Sequence, residues 1–525
     1  MKRNVATLVI VSILIVGIAG FVYRDNASRI DLTGNQGTEK PENARVYAMV
    51  ENKNAAFEMA LFSVEIGGTR INETNVPVLV YTGSPGRVTF SIGGWALNWN
   101  GVKFDVRGKV TVNAEAGRDY LVTLEPVHEP GIFIMRTDER LSGVIGRDVP
   151  GTILLDDNTV TREILAREGF SGEFLANEKL RERYLNLWGI TGNLSYLKAY
   201  RDLGYHLKTL GLMARLGNVE EPAVRTLILD LRATDYYYSR WSEPGRKDLI
   251  LVFSNDSPYR GALKVTDGPI RSRLPFVYYS ARGFNLYPVS ALHWGEIYYE
   301  RGDYGTMLGI LNELLPLITY GEHNGAEYAL FHIYFQFQNA SVPWVSGYAQ
   351  GVAAGLYALA YNITGNETYL KTAGLFLNSF DLPPGRDGFV VSTKYGQWYL
   401  EYNYYPDELV LNGHIIALRG LYHYWKVTGD EKAHGLFWKG AMSVRRALPD
   451  FDTGEWSRYA IIYNSSSVFY HRLHVKLLVW LYAKTGDETF LRYAERWNGY
   501  LEKKGLKPED IPALLDEMGN APQHG

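Results

Sequence analysis

The sequence predicts a multidomain α+β chain: an N-terminal membrane anchor, a small β-sandwich, then an α/α toroid (a barrel of helical hairpins) with a β-rich insertion. Three features predict it. An uncharged apolar run stands near the start, segments of period-two alternation follow, and a helical remainder is punctuated by recurring Thr-Gly-Asn/Asp turns. At 525 residues the chain is long enough for several domains, and 46% hydrophobic content supplies their cores.

The basic start, Met1 to Arg3, precedes Val5 to Tyr23, 19 residues without charge. A helix of that length, at ~1.5 Å per residue, reaches across a ~30 Å hydrocarbon core. The basic flank holds the start in the cytoplasm. No small-x-small cleavage site follows, so residues 1–24 are expected to stay as a single-pass signal-anchor, with the catalytic part extracytoplasmic at the cell membrane. Eight Asn-x-Ser/Thr sequons, from Asn26 to Asn464, are compatible with that side of the membrane. Residues 25–43 are polar and read as a stalk.

Segment 44–127 reads as short strands, Phe57 to Ile66, Val76 to Tyr81, Arg87 to Ile92, Lys103 to Val106, Val110 to Val112 and Tyr120 to Leu124, which is the pattern of a β-sandwich. Asn113 to Asp119 reads as a hairpin turn between the last two. Residues 128–172 read as a linking segment. From 173 to 525 helices dominate, including Leu194 to Leu216 and Glu220 to Arg240, with strand-like insertions near 248–285 and 326–338. Gly192, Gly302, Gly365, Gly429 and Gly486 stop successive helices, and an Asn or Asp after each caps the next. Two helices per repeat of about sixty residues describe antiparallel hairpins arranged as a toroid.

Composition narrows the chemistry. Without cysteine there are no disulfides, thiolate nucleophiles or Cys-ligated metals. A net charge of −3 offers no basic footprint for nucleic acid. Residues Trp398 to His474 carry a dense set of tyrosines, with Glu401 and His471 among them. Phenols both donate and accept hydrogen bonds, so this mixture suits sugar binding and proton transfer at carbon. A carboxylate and a phenol on opposite faces of a sugar ring can remove a proton and return one. Glu401 and Tyr402 are expected just before a helix starting near Glu408, and Tyr459 and Tyr470 just before one starting near His471. His471, Arg472, His474, Arg458 and Lys394 are the cations at hand, and they are expected to lower a tyrosine pKa. His471 and His474 share a helix face at i, i+3, but a zinc site needs a third ligand and no His-Glu-x-x-His is present, so no metal is expected. The single Asp452-Thr-Gly454 reads as a turn rather than a protease motif.

Ordered motifs in the last third of the chain carry a resemblance: Pro343-Trp-Val-Ser-Gly-Tyr-Ala-Gln-Gly351, Trp398-Tyr-Leu-Glu-Tyr402, Val410-Leu-Asn-Gly413, Leu448-Pro-Asp-Phe-Asp-Thr-Gly454, Tyr459 and Tyr470-His-Arg-Leu-His474, with Gly283-Phe-Asn-Leu-Tyr-Pro-Val289 earlier. Together, across 283–500, they resemble the C-terminal catalytic domain of D-glucuronyl C5-epimerases, which convert D-glucuronate to L-iduronate in heparan-type chains. The resemblance implies an α/α barrel and a cofactor-independent isomerase. It places Glu401 and Tyr470 on the positions that exchange the C5 proton, and Tyr402 and Tyr459 on supporting catalytic tyrosines. His471, Arg472, His474, Asn412, Gln350, Trp344 and Tyr348 are expected to bind substrate, a uronate-containing polysaccharide or glycan. A homodimer is compatible with this. Two positions depart from the family pattern. Tyr459-Ala-Ile-Ile462 stands for Tyr-Asp-Leu-Arg, and Leu400-Glu-Tyr-Asn403 for Glu-Glu-Tyr-Pro, so a sulfated animal-type chain is not implied. A polysaccharide lyase on the same barrel, a glycoside hydrolase using Glu401 with Asp407 or Glu408, and a non-catalytic surface glycan-binding protein are the rival readings.

Overall fold

The computed structural model describes residues 43–50, 61–71, 78–97, 103–129, 132–137, 144–145, 159–191, 193–215, 219–242, 244, 249–268, 270–337, 340 and 342–519. The expected anchor and all but the last residue of the stalk lie outside them. Among the described residues no helix is long and apolar enough to cross a membrane. The chain mixes helix and sheet and divides into two compact units. Of the described residues, one holds those up to Tyr287 together with Ile333–Trp344, and the other holds Pro288–His332 and those from Val345 onward.

The first unit begins with nine strands: β1 (Ala44–Val50), β2 (Leu61–Ile66), β3 (Thr69–Ile71), β4 (Val78–Gly83), β5 (Gly86–Leu97), β6 (Lys103–Ala114), β7 (Asp119–Glu129), β8 (Ile132–Thr137) and β9 (Val144–Ile145). Alternate residues turn inward. Val46, Ala48 and Val50 of β1, Phe62, Val64 and Ile66 of β2, and Val122 and Leu124 of β7 share one core. All nine strands join one sheet, of order β3-β2-β5-β6-β8-β7-β1-β4 with β9 beside β7. The hairpin expected through 113–119 is therefore corrected. The chain does turn there, with Gly117 at φ 70°, but β8 lies between β6 and β7, parallel to one and antiparallel to the other. β8 and β9 come from the segment read as a linker. That segment also starts α1 (Thr159–Arg167).

Four helices, α1, α2 (Ser171–Thr191), α3 (Leu194–Arg215) and α4 (Glu221–Arg240), pack with a sheet of order β11-β10-β12-β13, formed by β10 (Ile250–Phe253), β11 (Leu263–Lys264), β12 (Ser272–Tyr279) and β13 (Gly283–Leu286). Buried Asp230 of α4 fastens β13 by accepting the Leu286 N–H at 2.6 Å.

The second unit is built from helical hairpins: α5 (Pro288–Glu300) with α6 (Tyr304–Leu314), α7 (Gly347–Thr364) with α8 (Glu367–Asn378), α9 (Leu411–Thr428) with α10 (Glu431–Phe451), and α11 (Val468–Thr485) with α12 (Glu488–Lys503), closed by α13 (Ile511–Gly519). Strands β14 (Thr319–His323) and β15 (Ala326–Leu330) form a hairpin after α6. The short β16 (His332–Ile333) and β17 (Trp344–Val345) follow, and β18 (Val390–Thr393) and β19 (Gly396–Tyr399) form a hairpin before α9. The turns are those read from the sequence. Gly365, Gly429 and Gly486 stop α7, α9 and α11 in the left-handed conformation. Asn366, Asp430 and Asp487 then cap the next helices, accepting from Thr368, Ala433 and Thr489 N–H groups. Helices α5, α7, α9 and α11 contact one another in a row. The α7–α9 contact is backbone against backbone: a Cβ on Gly420 would fall 1.9 Å from the Gly351 carbonyl oxygen, and one on Gly355 2.6 Å from the Gly420 oxygen.

Candidate active site

Two loops of the second unit bring the catalytic candidates together. The first, 400–410, leaves β19 and enters α9. That helix starts at Leu411 and not near Glu408 as expected, so Glu408 stands in the loop. Asn403 anchors this loop. Its Nδ2 donates to the carbonyls of Gly385, Arg386 and Gly388 at 3.2, 2.8 and 3.2 Å, and its Oδ1 accepts the Val345 N–H at 3.1 Å. The second loop, 452–467, enters α11, which starts at Val468, so Tyr470 lies in its first turn and its N–H is capped by Ser467 Oγ. The loops are stitched to each other. Leu411 N–H donates to Tyr459 O at 3.1 Å, Ile461 N–H donates to Leu409 O at 3.2 Å, and Val410 bridges Ala460.

Glu401, Tyr402, Tyr459 and Tyr470 form one buried cluster. The Tyr402 and Tyr459 hydroxyls share a 3.3 Å hydrogen bond, and the Tyr459 and Tyr470 rings lie 4.6 Å apart between centroids. The Glu401 side chain lies against the first turn of α9. A Cβ on Gly413 would stand 2.2 Å from Glu401 Oε2, so only glycine leaves the carboxyl its place. That oxygen is buried without a hydrogen-bond partner, as is Oδ1 of neighbouring Asn412. Burial pushes the Glu401 carboxyl up to about 8. The Tyr402 hydroxyl, bonded to it, pulls it down, and the nearby Glu408 charge pushes it further up. Burial, then the charges of Glu401 and Tyr470, hold the Tyr459 phenol well above its ordinary value. The expectation that cations lower a tyrosine here is thereby overturned. Lys394 pairs with Asp450, Arg472 with Glu509, and Arg458 donates to the Tyr463 carbonyl.

Two members were missing from the expected epimerase set, although Glu408 was named as a partner of Glu401 in the rival hydrolase reading. Glu408 is 1% exposed, and its Oε1 accepts from the Tyr463 hydroxyl at 3.1 Å. The Tyr463 ring lies 6.1 Å from that of Tyr459. The only signal in the sequence was their place in the tyrosine-dense stretch, since nothing local says that 408 and 463 meet.

Of the expected substrate-binding residues, Asn412 adjoins the cluster and the others do not join it. Gln350 is sealed in the core, with Oε1 accepting from Phe331 N–H and Nε2 donating to Phe331 and Ser346 carbonyls. Trp344 is buried and donates to Phe335 O at 2.8 Å. Tyr348 is buried and acts electrostatically on Arg419, which makes a two-pronged ion pair with Glu296. His471 and His474 are fully buried in a network of their own. His471 stacks on Trp456 at 3.6 Å, its Nε2–H donates to Trp497 O, and its Nδ1 accepts from Ser457 N–H and Oγ–H. Ser457 Oγ in turn accepts from His474 Nδ1–H at 2.9 Å. The His474 Nε2 and the indole N–H of Trp497 are left over, both buried without a hydrogen-bond partner. Asp452 is a turn residue as expected, bound by Gly454 N–H, Arg496 and Tyr500. Among the described residues no group of three or more potential ligands could hold a metal ion.

Residues 324–499 match the family model described as the D-glucuronyl C5-epimerase C-terminus. A D-glucuronyl C5-epimerase of Caenorhabditis elegans is 32% identical over 184 residues, 31% of this chain and 30% of that protein. An uncharacterized protein of Methanocaldococcus jannaschii is 33% identical over 171 residues, 32% of this chain and 56% of that protein. The chain thus spans about half of one curated relative and under a third of the other. Among solved structures, a GH76 alpha-mannanase of Bacteroides thetaiotaomicron aligns at TM-score 0.28 and 13% identity over 41% of this chain and 59% of its own. A family 76 glycoside hydrolase from a bovine strain of that organism aligns at 0.25 and 9% over 80% and 94%.

Proposed function

From the premise that residues 324–499 belong to the D-glucuronyl C5-epimerase C-terminal family, we propose that this chain is an epimerase that inverts uronate residues at C5, D-glucuronate to L-iduronate, within a polysaccharide or glycan. The observation that carries the proposal is the buried, mutually coupled cluster of Glu401, Tyr402, Tyr459 and Tyr470 inside that segment.

A C5 hydrogen alpha to a carboxylate is feebly acidic. Removing it places the electron pair in the carboxylate as an enediolate, which must be met by hydrogen-bond donors. In the proposed cycle Glu401 and Tyr470 serve opposite faces of the ring. One takes the C5 proton, the other returns a proton to the opposite face, and the balance closes without a redox partner. A group with a midpoint near 8 is populated in both protonation states around neutral pH, which suits a residue that must both take and give. Its unpartnered Oε2 is the atom available for this. Tyr402 and Tyr459 supply donors for the enediolate oxygen, and Asn412 Oδ1 accepts from a sugar hydroxyl. The row α5–α7–α9–α11, each helix backed by its hairpin partner, we read as part of the inner ring of an α/α toroid. Residues 5–23 we read as a single-pass anchor with the catalytic part outside, a reading that protease accessibility of the intact chain in sealed vesicles tests.

Incubation with uronate polymers in deuterium oxide should place deuterium at C5 of glucuronate and iduronate units. No deuterium at C5 with any uronate polymer would sink the epimerase reading, and a UV-absorbing unsaturated product would reassign the same first step to a lyase.

A further inference from the structure

Away from the epimerase segment, the first unit holds an open cavity of about 1060 Å³ between one face of α2, one face of α4 and the turn at Asp267 and Gly268. Its volume exceeds what a single small ligand requires, roughly 300–1,000 Å³, and suits an elongated one. On α2 the lining side chains recur at helical spacing. Gly172 and Ala176 leave depth, and Lys179 and Arg183 stand four residues apart on the same face. Like charges at that spacing oppose each other and weaken the helix, so folding alone does not account for them. Neither makes an ion pair among the described residues.

The acidic side chains of the lining are already engaged. Glu173 pairs with Arg232. Asp267 accepts from the Tyr236 hydroxyl at 3.0 Å and lies 3.5 Å from Arg240. Asp235 accepts from Asn177 Nδ2 at 2.6 Å. Four cations against three acids leave the cavity one positive charge in excess; Lys179 and Arg183 are the cations without an ion pair, and Arg183 lies 5.9 Å from the centre of the Tyr184 ring. Burial, against the pull of Asn177 and Arg181, pushes the Asp235 carboxyl up to about 8, which removes a further negative charge near neutrality. At one wall the Arg240 guanidinium covers the buried Tyr236 ring, 3.9 Å from its centre. Ser239 adds a hydroxyl beside it.

We infer that this cavity is a second saccharide site, which binds an acidic oligosaccharide through carboxylates on Lys179 and Arg183. A sugar rests on the Arg240 guanidinium, which the buried Tyr236 ring holds flat beneath it, and sugar hydroxyls reach Ser239 and the carboxyl groups. The engaged acids of the lining still exchange hydrogen bonds with sugar hydroxyls, and a chain with a carboxylate on every second sugar matches the small excess of positive charge better than one with a phosphate at every residue. The inference rests on the uronate-polymer reading only for the identity of the acid.

The test is calorimetric titration of the full chain with a hexasaccharide alternating glucuronate and N-acetylglucosamine, set against a neutral N-acetylglucosamine hexasaccharide and a single-stranded oligonucleotide. The double substitution Lys179→Glu/Arg183→Glu changes exposed side chains, and Lys179→Gln/Arg183→Gln stands in should the reversal impair folding. The acidic hexasaccharide should lose one equivalent of binding, or weaken at that site by about tenfold or more, while the neutral sugar shows no charge-dependent binding. Equal affinity and stoichiometry in native and substituted chains overturns the site, and so does tighter binding of the oligonucleotide with the same dependence on Lys179 and Arg183. Deuterium incorporation at C5 reads the epimerase proposal separately. Exchange without charge-dependent binding refutes only this site, and binding without exchange refutes only the epimerase.

Discussion

Two buried polar clusters sit side by side in the sequence, and the structure treats them oppositely. Around Glu401 the groups are coupled but incompletely satisfied. A carboxyl oxygen and an amide oxygen lack partners, and burial raises both Glu401 and Tyr459. Around His471 and His474 the hydrogen bonds run through Ser457 and the Trp497 carbonyl, Trp456 covers the His471 imidazole, and His474 Nε2 and Trp497 Nε1 are left over. Both hold residue types suited to acid–base chemistry. What separates the two is which polar atoms are left over: at Glu401 a carboxyl oxygen on a group held near 8, at the histidines an imidazole nitrogen and the Trp497 indole N–H.

The largest effect that would sharpen this contrast is catalytic. Glu401→Gln and Tyr470→Phe should each slow C5 exchange per folded molecule by about 10²–10⁴-fold. Equal exchange in both variants would erase the distinction. Gly413→Ala comes next: its methyl would occupy the space of Glu401 Oε2, so exchange should fall by roughly 10²-fold through misplacement of the carboxyl. At the other cluster the expected loss is in stability. His471→Ala removes a stacked, buried ring with its hydrogen bonds and should cost about 2–4 kcal/mol in denaturant unfolding, with exchange per folded molecule retained. Loss of exchange with stability intact would move His471 into the site.

The two clusters also titrate in opposite senses, a smaller effect. The Glu401 pKa is raised from 4.5 to about 8. Its stabilising contribution is therefore full below about pH 4.5 and is lost as pH rises through 8. The His471 pKa is lowered from 6.5 to about 4, chiefly by burial, so its contribution is full above about 6.5 and is lost as pH falls through 4. Melting curves across pH 4–9 should show Glu401→Gln flattening the alkaline limb by an amount on the order of a few kcal/mol, while leaving the acid limb alone. A variant that flattens both limbs, or neither, contradicts the assignment.

Much of the second unit was legible because its signals are local. A glycine free to turn left-handed, followed by an Asn or Asp that caps the next helix, acts within a few residues, and it marked the ends of α7, α9 and α11. The alternation of β1 and β2 was equally readable. Strand order was not: β8 enters between β6 and β7 because it satisfies the free edges of both, and no neighbour in sequence announces that. The motif blocks placed Glu401, Tyr402, Tyr459 and Tyr470 in one cluster. They also suggested His471, His474, Gln350 and Trp344 as cleft residues, which the packing holds inside.

The sequence by itself determined the helical hairpins and their caps, the alternating strands, the absence of thiol chemistry, and the stretch in which carboxylate and phenols are concentrated. Only the tertiary structure decided which of those groups act on one another. Burial and electrostatic coupling are sums over everything nearby in space. At Glu401 they come from Tyr402, Glu408 and the space Gly413 leaves, and at Tyr459 from Glu401 and Tyr470, positions brought together only when two loops are stitched across the start of α9.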